Sequence, residues 1–162
     1  MKAFVVFLIL LLQTVTSPSQ NLVYTNFQEL AGKMKIDPKP VIIKLYTNWC
    51  TYCKLQDEQL KNRDTLSAYI QKNFYILNFN AESREDVAFN NTVYKFKPQG
   101  LSGGINELTL SLARETKELS YPYWVILDDK YNIRTWHQGY LKNKNLMLLL
   151  KSVVESKNLS LK

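Results

Sequence analysis

The order of elements predicts a single α/β domain built on a central mixed β-sheet flanked by helices. Three observations carry that expectation. Two short apolar runs, residues 41–47 (VIIKLYT) and 74–80 (FYILNFN), bracket helical sequence, the β-α-β pattern of parallel strands joined by a right-handed crossover. Residues 124–128 (WVILD) and 133–138 (IRTWHQ) bracket Asp129-Lys130-Tyr131-Asn132, which predicts an antiparallel pair around a turn. Apolar residues recur at helical spacing before, between and after these runs. The 162-residue length suits one domain, and a 46% hydrophobic share excludes a disordered chain.

The first residues read as an address. Lys2 provides a positive start, residues 3–12 (AFVVFLILLL) are an unbroken apolar run, and residues 13–20 (QTVTSPSQ) turn small and polar. A membrane-spanning helix needs about 20 apolar residues, so this pattern predicts a secretory signal peptide. Ser17 and Ser19 fit the small-residue rule, placing cleavage after Ser19 and the working domain at 20–162. Removing Lys2 leaves 20 basic against 14 acidic residues, a net charge of +6. That charge is scattered along the chain, so no nucleic-acid partner is expected. Export to a periplasmic or extracellular site, in a bacterial envelope, is the expected localisation, where disulfides persist.

The elements follow in order. Asn26 is placed to cap a helix over 27–35 with Phe27, Leu30, Ala31 and Met34 on one face, and Asp37-Pro38-Lys39-Pro40 stops it. Residues 41–47, apolar apart from Lys44, read as a buried central strand. Helical sequence runs from the cysteine pair to about residue 59, and a second stretch starts at Asp64 as N-cap, with Leu66, Tyr69 and Ile70 inward. After the strand at 74–80, Asn90-Asn91 predicts an inserted β-hairpin over 87–96, because asparagine tolerates the positive φ of a tight turn. Residues 98–104 read as loop, with Gly103-Gly104 as flexible punctuation. Asn106 is expected to cap a helix over 107–119, and Asn143 a C-terminal helix carrying Leu146, Leu150 and Val153.

The chemistry is concentrated at Trp49-Cys50-Thr51-Tyr52-Cys53-Lys54, a C-x-x-C between a strand and a helix. Free N–H groups of the first helical turn point toward the first sulfur and favour its thiolate. Cys50 is expected to be the exposed, attacking sulfur, and Cys53, one turn deeper, to resolve the mixed disulfide. A purely structural disulfide remains open, although so short a loop constrains little of the unfolded chain. Two Cys and one His, His137, do not furnish a four-ligand metal site, and Lys54 stands where a c-type haem motif needs His. No metal and no cofactor are expected. His137 is expected to be a surface or partly buried histidine, and Trp124 and Trp136 to pack in the core or on the sheet.

These residues resemble the active-site motif of the thioredoxin superfamily, matched by Trp49, Cys50, Cys53 and Lys54. Ser120-Tyr121-Pro122-Tyr123, just before the WVILD strand, is similar to the family's cis-proline loop, with Pro122 in the proline position. The subgroup it most resembles is that of secreted bacterial thioredoxin-like proteins. The resemblance implies a thioredoxin-like fold and a thiol-disulfide oxidoreductase whose Cys50–Cys53 pair exchanges disulfides with cysteine-containing exported proteins. It implies substrate contacts at Trp49, Tyr52, Tyr121 and Pro122, a membrane or soluble electron donor or acceptor, and a monomer. Many members carry a buried Asp six residues before the first Cys, where this chain has Lys44. The expected reading is a lysine whose stem packs and whose ammonium reaches water; turned inward and charged, it would favour a nearby thiolate. Lys44, Lys54 and Glu58 are the candidates for proton transfer or pKa tuning, with Asp57 and Glu58 expected to be exposed helix carboxylates. Thr51-Tyr52 replace the Gly-Pro of thioredoxin itself, and the residues do not set the redox direction; reduction is the expected one. The alternative is a non-catalytic binding or chaperone module for exported proteins.

Overall fold

Strand β1 (Val41–Tyr46) runs through the centre of the molecule, because five of its six residues are buried and both of its edges are paired. The computed structural model describes residues 22–61, 65–114 and 119–160. The expected signal peptide, its cleavage point and the Asp64 cap lie outside them. In chain order the elements are α1 (Phe27–Ile36), β1, α2 (Thr51–Lys61), α3 (Thr65–Asn73), β2 (Tyr75–Asn80), β3 (Val87–Phe89), β4 (Thr92–Tyr94), β5 (Phe96–Gln99), β6 (Gly103–Asn106), α4 (Glu107–Leu112), β7 (Tyr123–Leu127), β8 (Ile133–Gln138) and α5 (Asn143–Ser160). Among the described residues the main sheet has the order β2-β1-β7-β8. β1 pairs parallel with β2 and antiparallel with β7, and β7 pairs antiparallel with β8, so the sheet is mixed as expected.

Period-two alternation along β1 divides the interior into two layers. Val41, Ile43 and Leu45 face a core shared with Leu30 of α1, Phe89 of β3 and Leu108 of α4. Ile42 faces the opposite core with Leu60 of α2, Ile70 of α3, Trp124 of β7, and Leu146 and Leu150 of α5. Helices on both faces therefore hide a strand that is apolar nearly throughout. Lys44 is the exception, and it is buried too.

Local chemistry explains most boundaries. The Asn26 side chain accepts the Glu29 N–H at 2.8 Å and starts α1. Asn90 and Asn91 take φ of 48° and 61° and close the expected β3–β4 hairpin. Three expectations are corrected. Residues 98–104 are not a loop: β5 and β6 form a second hairpin, in which Phe96 pairs with Asn106 and Pro98 with Gly104. Gly104 is needed there for close approach, since a Cβ would meet the Phe96 ring and stand 2.7 Å from the Lys97 carbonyl oxygen. The helix expected to reach residue 119 ends at Leu112, and Ala113 is already extended (φ −72°, ψ 129°). The next N–H, of Arg114, donates to the Tyr123 hydroxyl at 2.9 Å, so a tertiary bond takes the place of a further helical one. Asn143 lies inside α5, not at its cap; Lys142 provides the first carbonyl, accepting from the Asn145 and Leu146 N–H groups.

A buried amide joins α2 to the approach of α5. Gln56, fully buried, donates from Nε2 to the Leu141 carbonyl at 3.1 Å and accepts the Leu141 N–H at 2.9 Å. In Gln56→Ala the Leu141 carbonyl keeps Gln59 as a donor, but its N–H is orphaned, and a loss of about 1–3 kcal/mol in urea unfolding is expected. Gly104→Ala is expected to cost a similar ~1–3 kcal/mol, because the added methyl overpacks the hairpin; thermal unfolding measures it.

Candidate active site

The site is built at the corner where β1 hands the chain to α2. The Thr47 carbonyl accepts the Cys50 N–H at 3.2 Å, turning the chain before Thr51 opens the helix. Cys50 and Cys53 form a disulfide with S–S 2.06 Å and Cα atoms 5.3 Å apart. The Cys53 N–H donates to the Cys50 sulfur at 3.0 Å, and the Lys54 N–H donates to the Cys50 carbonyl at 3.3 Å. The helix start thus presents a donor directly to the first sulfur, an arrangement that favours negative charge on Cys50. Cys50 is not the exposed sulfur the sequence suggested. It is 5% exposed against 2% for Cys53, because its sulfur is tied inward by both the disulfide and the Cys53 N–H.

An aromatic rim borders this corner. Trp49 is 66% exposed; its Nε1–H donates to Glu82 Oε1 at 3.0 Å, and its ring meets Tyr121 edge-on with centroids 6.1 Å apart. Tyr52 and Leu55 on the first turns of α2 are also exposed. The Tyr121–Pro122 bond is cis, as the resemblance implied, and Pro122 is buried. Because Leu45 pairs with Tyr123, Pro122 lies beside the carboxyl end of β1, next to the corner that carries the cysteines. Burial, with Glu82 second, pushes the Tyr121 hydroxyl up to about 12. Glu82 was invisible to sequence reasoning, since no spacing connects it to Trp49.

Below the disulfide the structure departs from expectation. Lys44 does not send its ammonium to water. It is wholly buried and bonded to Asp57 Oδ1, whose side chain is 29% exposed. Strand alternation puts Lys44 on the α2 side, level with Trp124, where a lysine stem has no short path to solvent. Burial pushes the Lys44 ammonium down, with Asp57 opposing. Tyr24, from the segment before α1, donates its hydroxyl to the same Asp57 oxygen at 3.4 Å; burial, then the Asp57 charge, raises that hydroxyl. Asp57 is therefore the carboxylate joined to the interior, four residues after Cys53. The strand period and the i+4 helical spacing together were the signal that could have found it. Glu58 faces outward and pairs with Lys61 at 2.7 Å, and Lys54 is exposed. His137 is half-buried on β8 opposite Trp124, and burial lowers its pKa. Trp124 is fully buried, while Trp136, 40% exposed, stacks on Tyr123 with centroids 5.8 Å apart. Among the described residues no cluster of three or more His, Cys, Asp or Glu is placed to hold a metal ion.

Comparison with known proteins agrees with this architecture. Residues 27–153 match the family model of the thioredoxin-like domain. The chain belongs to that family. Among solved structures, this thioredoxin-like chain is similar to a disulphide isomerase from Xylella fastidiosa, with 17% identity, 78% of this chain and 86% of that one covered, and a TM-score of 0.53. It is also similar to the DsbH oxidoreductase, with 17% identity, 90% of each chain covered and a TM-score of 0.51. A third is the germline thioredoxin Deadhead of Drosophila melanogaster, with 15% identity, 80% and 95% covered, and a TM-score of 0.51. At such identities the likeness is one of fold. No curated protein sequence matches significantly.

The Tyr121 hydroxyl gives a test of this geometry. Burial holds it at about 12, above the ordinary tyrosine value of 10.0. Its contribution to stability is therefore complete below pH 10 and is lost as the pH rises through 12. Tyr121→Phe is expected to lose stability less steeply than the parent across that window, as measured by urea midpoints.

Proposed function

We propose that the chain is an exported thiol-disulfide oxidoreductase that acts on cysteine-containing exported proteins, in the reducing direction. The observation that carries the reading is the Cys50–Cys53 pair at a helix start, with the Cys53 N–H on the Cys50 sulfur. Trp49 and Lys54, on either side of the pair, complete the motif of the thioredoxin superfamily, which supports thiol-disulfide exchange. The apolar leader over residues 3–12 supports export.

In the reduced enzyme the Cys50 thiolate attacks one sulfur of a substrate disulfide. The substrate S–S bond breaks, its other sulfur leaves as thiolate and takes a proton, and a mixed disulfide forms at Cys50. Cys53, as thiolate, then attacks the Cys50 sulfur; the second substrate sulfur leaves reduced and Cys50–Cys53 is left oxidised. A thiol-bearing electron donor, soluble or in the membrane, regenerates the dithiol. The polypeptide docks extended beside Tyr121 and Pro122, with Trp49 and Tyr52 as apolar contacts, and the enzyme acts as a monomer.

Cys53→Ser is expected to accumulate dithiothreitol-sensitive adducts with exported proteins, read on non-reducing gels, and Cys50→Ala to form none. Equal substrate binding by Cys50→Ala and parent, with no adducts from Cys53→Ser, would instead mark a non-catalytic binding module. Equilibration with glutathione is expected to place the couple nearer about −270 mV than −120 mV.

A further inference from the structure

We propose that Lys44 is the counter-ion of Cys53 in the reduced protein, a buried cation on β1 that receives negative charge at the resolving sulfur and shifts the couple toward the dithiol. This rests on the thiol–disulfide reading above and deepens it.

The placement follows from strand and helix periods. Lys44 shares its face of β1 with Ile42, whose layer holds Leu60 of α2. Cys53, Gln56 and Leu60 are the buried residues of α2, and Asp57 borders that face. Residues four apart on a helix have Cβ atoms about 5–6 Å apart, so Asp57, the residue that holds the ammonium, lies one helical turn from Cys53. An ammonium has three N–H donors, and Asp57 is the acceptor that the described residues provide for them. The level partner on β7, Trp124, offers an indole donor and no side-chain acceptor. The pair is also asymmetric: the cation is fully buried, whereas the anion has access to water. Water reaches Asp57 in part and Lys44 not at all, so the cation is the less screened member of the pair on the inner face of α2.

The chemistry balances. A glutathione thiolate attacks the Cys50 sulfur, the Cys50–Cys53 bond breaks, and its electron pair leaves on Cys53, which Lys44 stabilises as thiolate. A second glutathione thiolate attacks the glutathione sulfur of the mixed disulfide. Glutathione disulfide is released and Cys50 leaves as thiolate; the protein has gained two electrons.

The test is the equilibrium of the full protein with reduced and oxidised glutathione. Replacing the pair by apolar residues, Lys44→Met with Asp57→Leu, is compatible with folding, since buried ion pairs are often replaced by apolar side chains without loss. This variant is expected to favour its disulfide at least about tenfold more than the parent, roughly 30 mV for a two-electron couple. The exchanged pair, Lys44→Asp with Asp57→Lys, keeps an ion pair but buries the anion, and is expected to move further the same way. Native-like near-ultraviolet dichroism with an unchanged equilibrium, or a shift toward the dithiol, overturns the proposal. Should neither variant fold, Cys50→Ser decides with Lys44, Asp57 and Tyr24 intact. There Cys53 is expected to ionise, by thiolate absorbance, below the usual thiol value of about 8.5; ionisation at or above it overturns the proposal. Failure of the parent itself to equilibrate with glutathione would count against the oxidoreductase reading, not against Lys44 specifically.

Discussion

Everything in this molecule is organised around the enclosure of β1. A strand with neighbours on both edges and helices over both faces has no side left for water, so each of its backbone groups must be paired and each side chain packed. That enclosure fixes where the chain can emerge. It leaves at Tyr46, and the corner that follows brings the first turn of α2 over the end of the sheet. The donor on the Cys50 sulfur and the nearness of the Pro122 loop both follow from that exit.

The same enclosure makes one lysine consequential. A buried ammonium is costly unless paired, and here the partner sits on the helix that carries the cysteines. Structural necessity and the electrostatics of the sulfur pair are thus met by the same side chains. The rim above is arranged differently: Trp49 is held by Glu82 and Tyr121 while its ring stays open to solvent.

Where local chemistry decided the outcome, the sequence was readable. Asn26, the Asn90-Asn91 turn, the strand alternation and the C-x-x-C spacing each act within a few residues, and the structure places them as expected. Pro122 was legible only through family resemblance. What escaped was decided at a distance. Gly103-Gly104 read as a loop because glycine favours turns, yet the Phe96 ring lies where a Cβ of Gly104 would be. Leu108, Leu112 and Leu119 suggested a longer helix than α4, but the Arg114 N–H goes to Tyr123. Lys44 alternated correctly with its apolar neighbours. Its partner Asp57, thirteen positions away, comes into view only when the strand period is combined with the helical spacing from Cys53, because the packing of α2 on β1 joins the two.

The segment ahead of α1 bears on where this fold begins. The family match starts at residue 27, yet the Thr25 N–H bonds to the Ile76 carbonyl on the outer side of β2, and the Val23 N–H bonds to Gln71. Together with the Tyr24 hydroxyl on Asp57, these contacts attach the segment to the sheet edge, to α3 and to the charged pair below the disulfide. A chain cut at Phe27 would keep every residue of the motif but lose an edge bond and, of the two donors to Asp57 among the described residues, the Tyr24 hydroxyl. The physical boundary of the domain therefore lies upstream of its recognisable sequence, and the electrostatics beneath the cysteines extend across it.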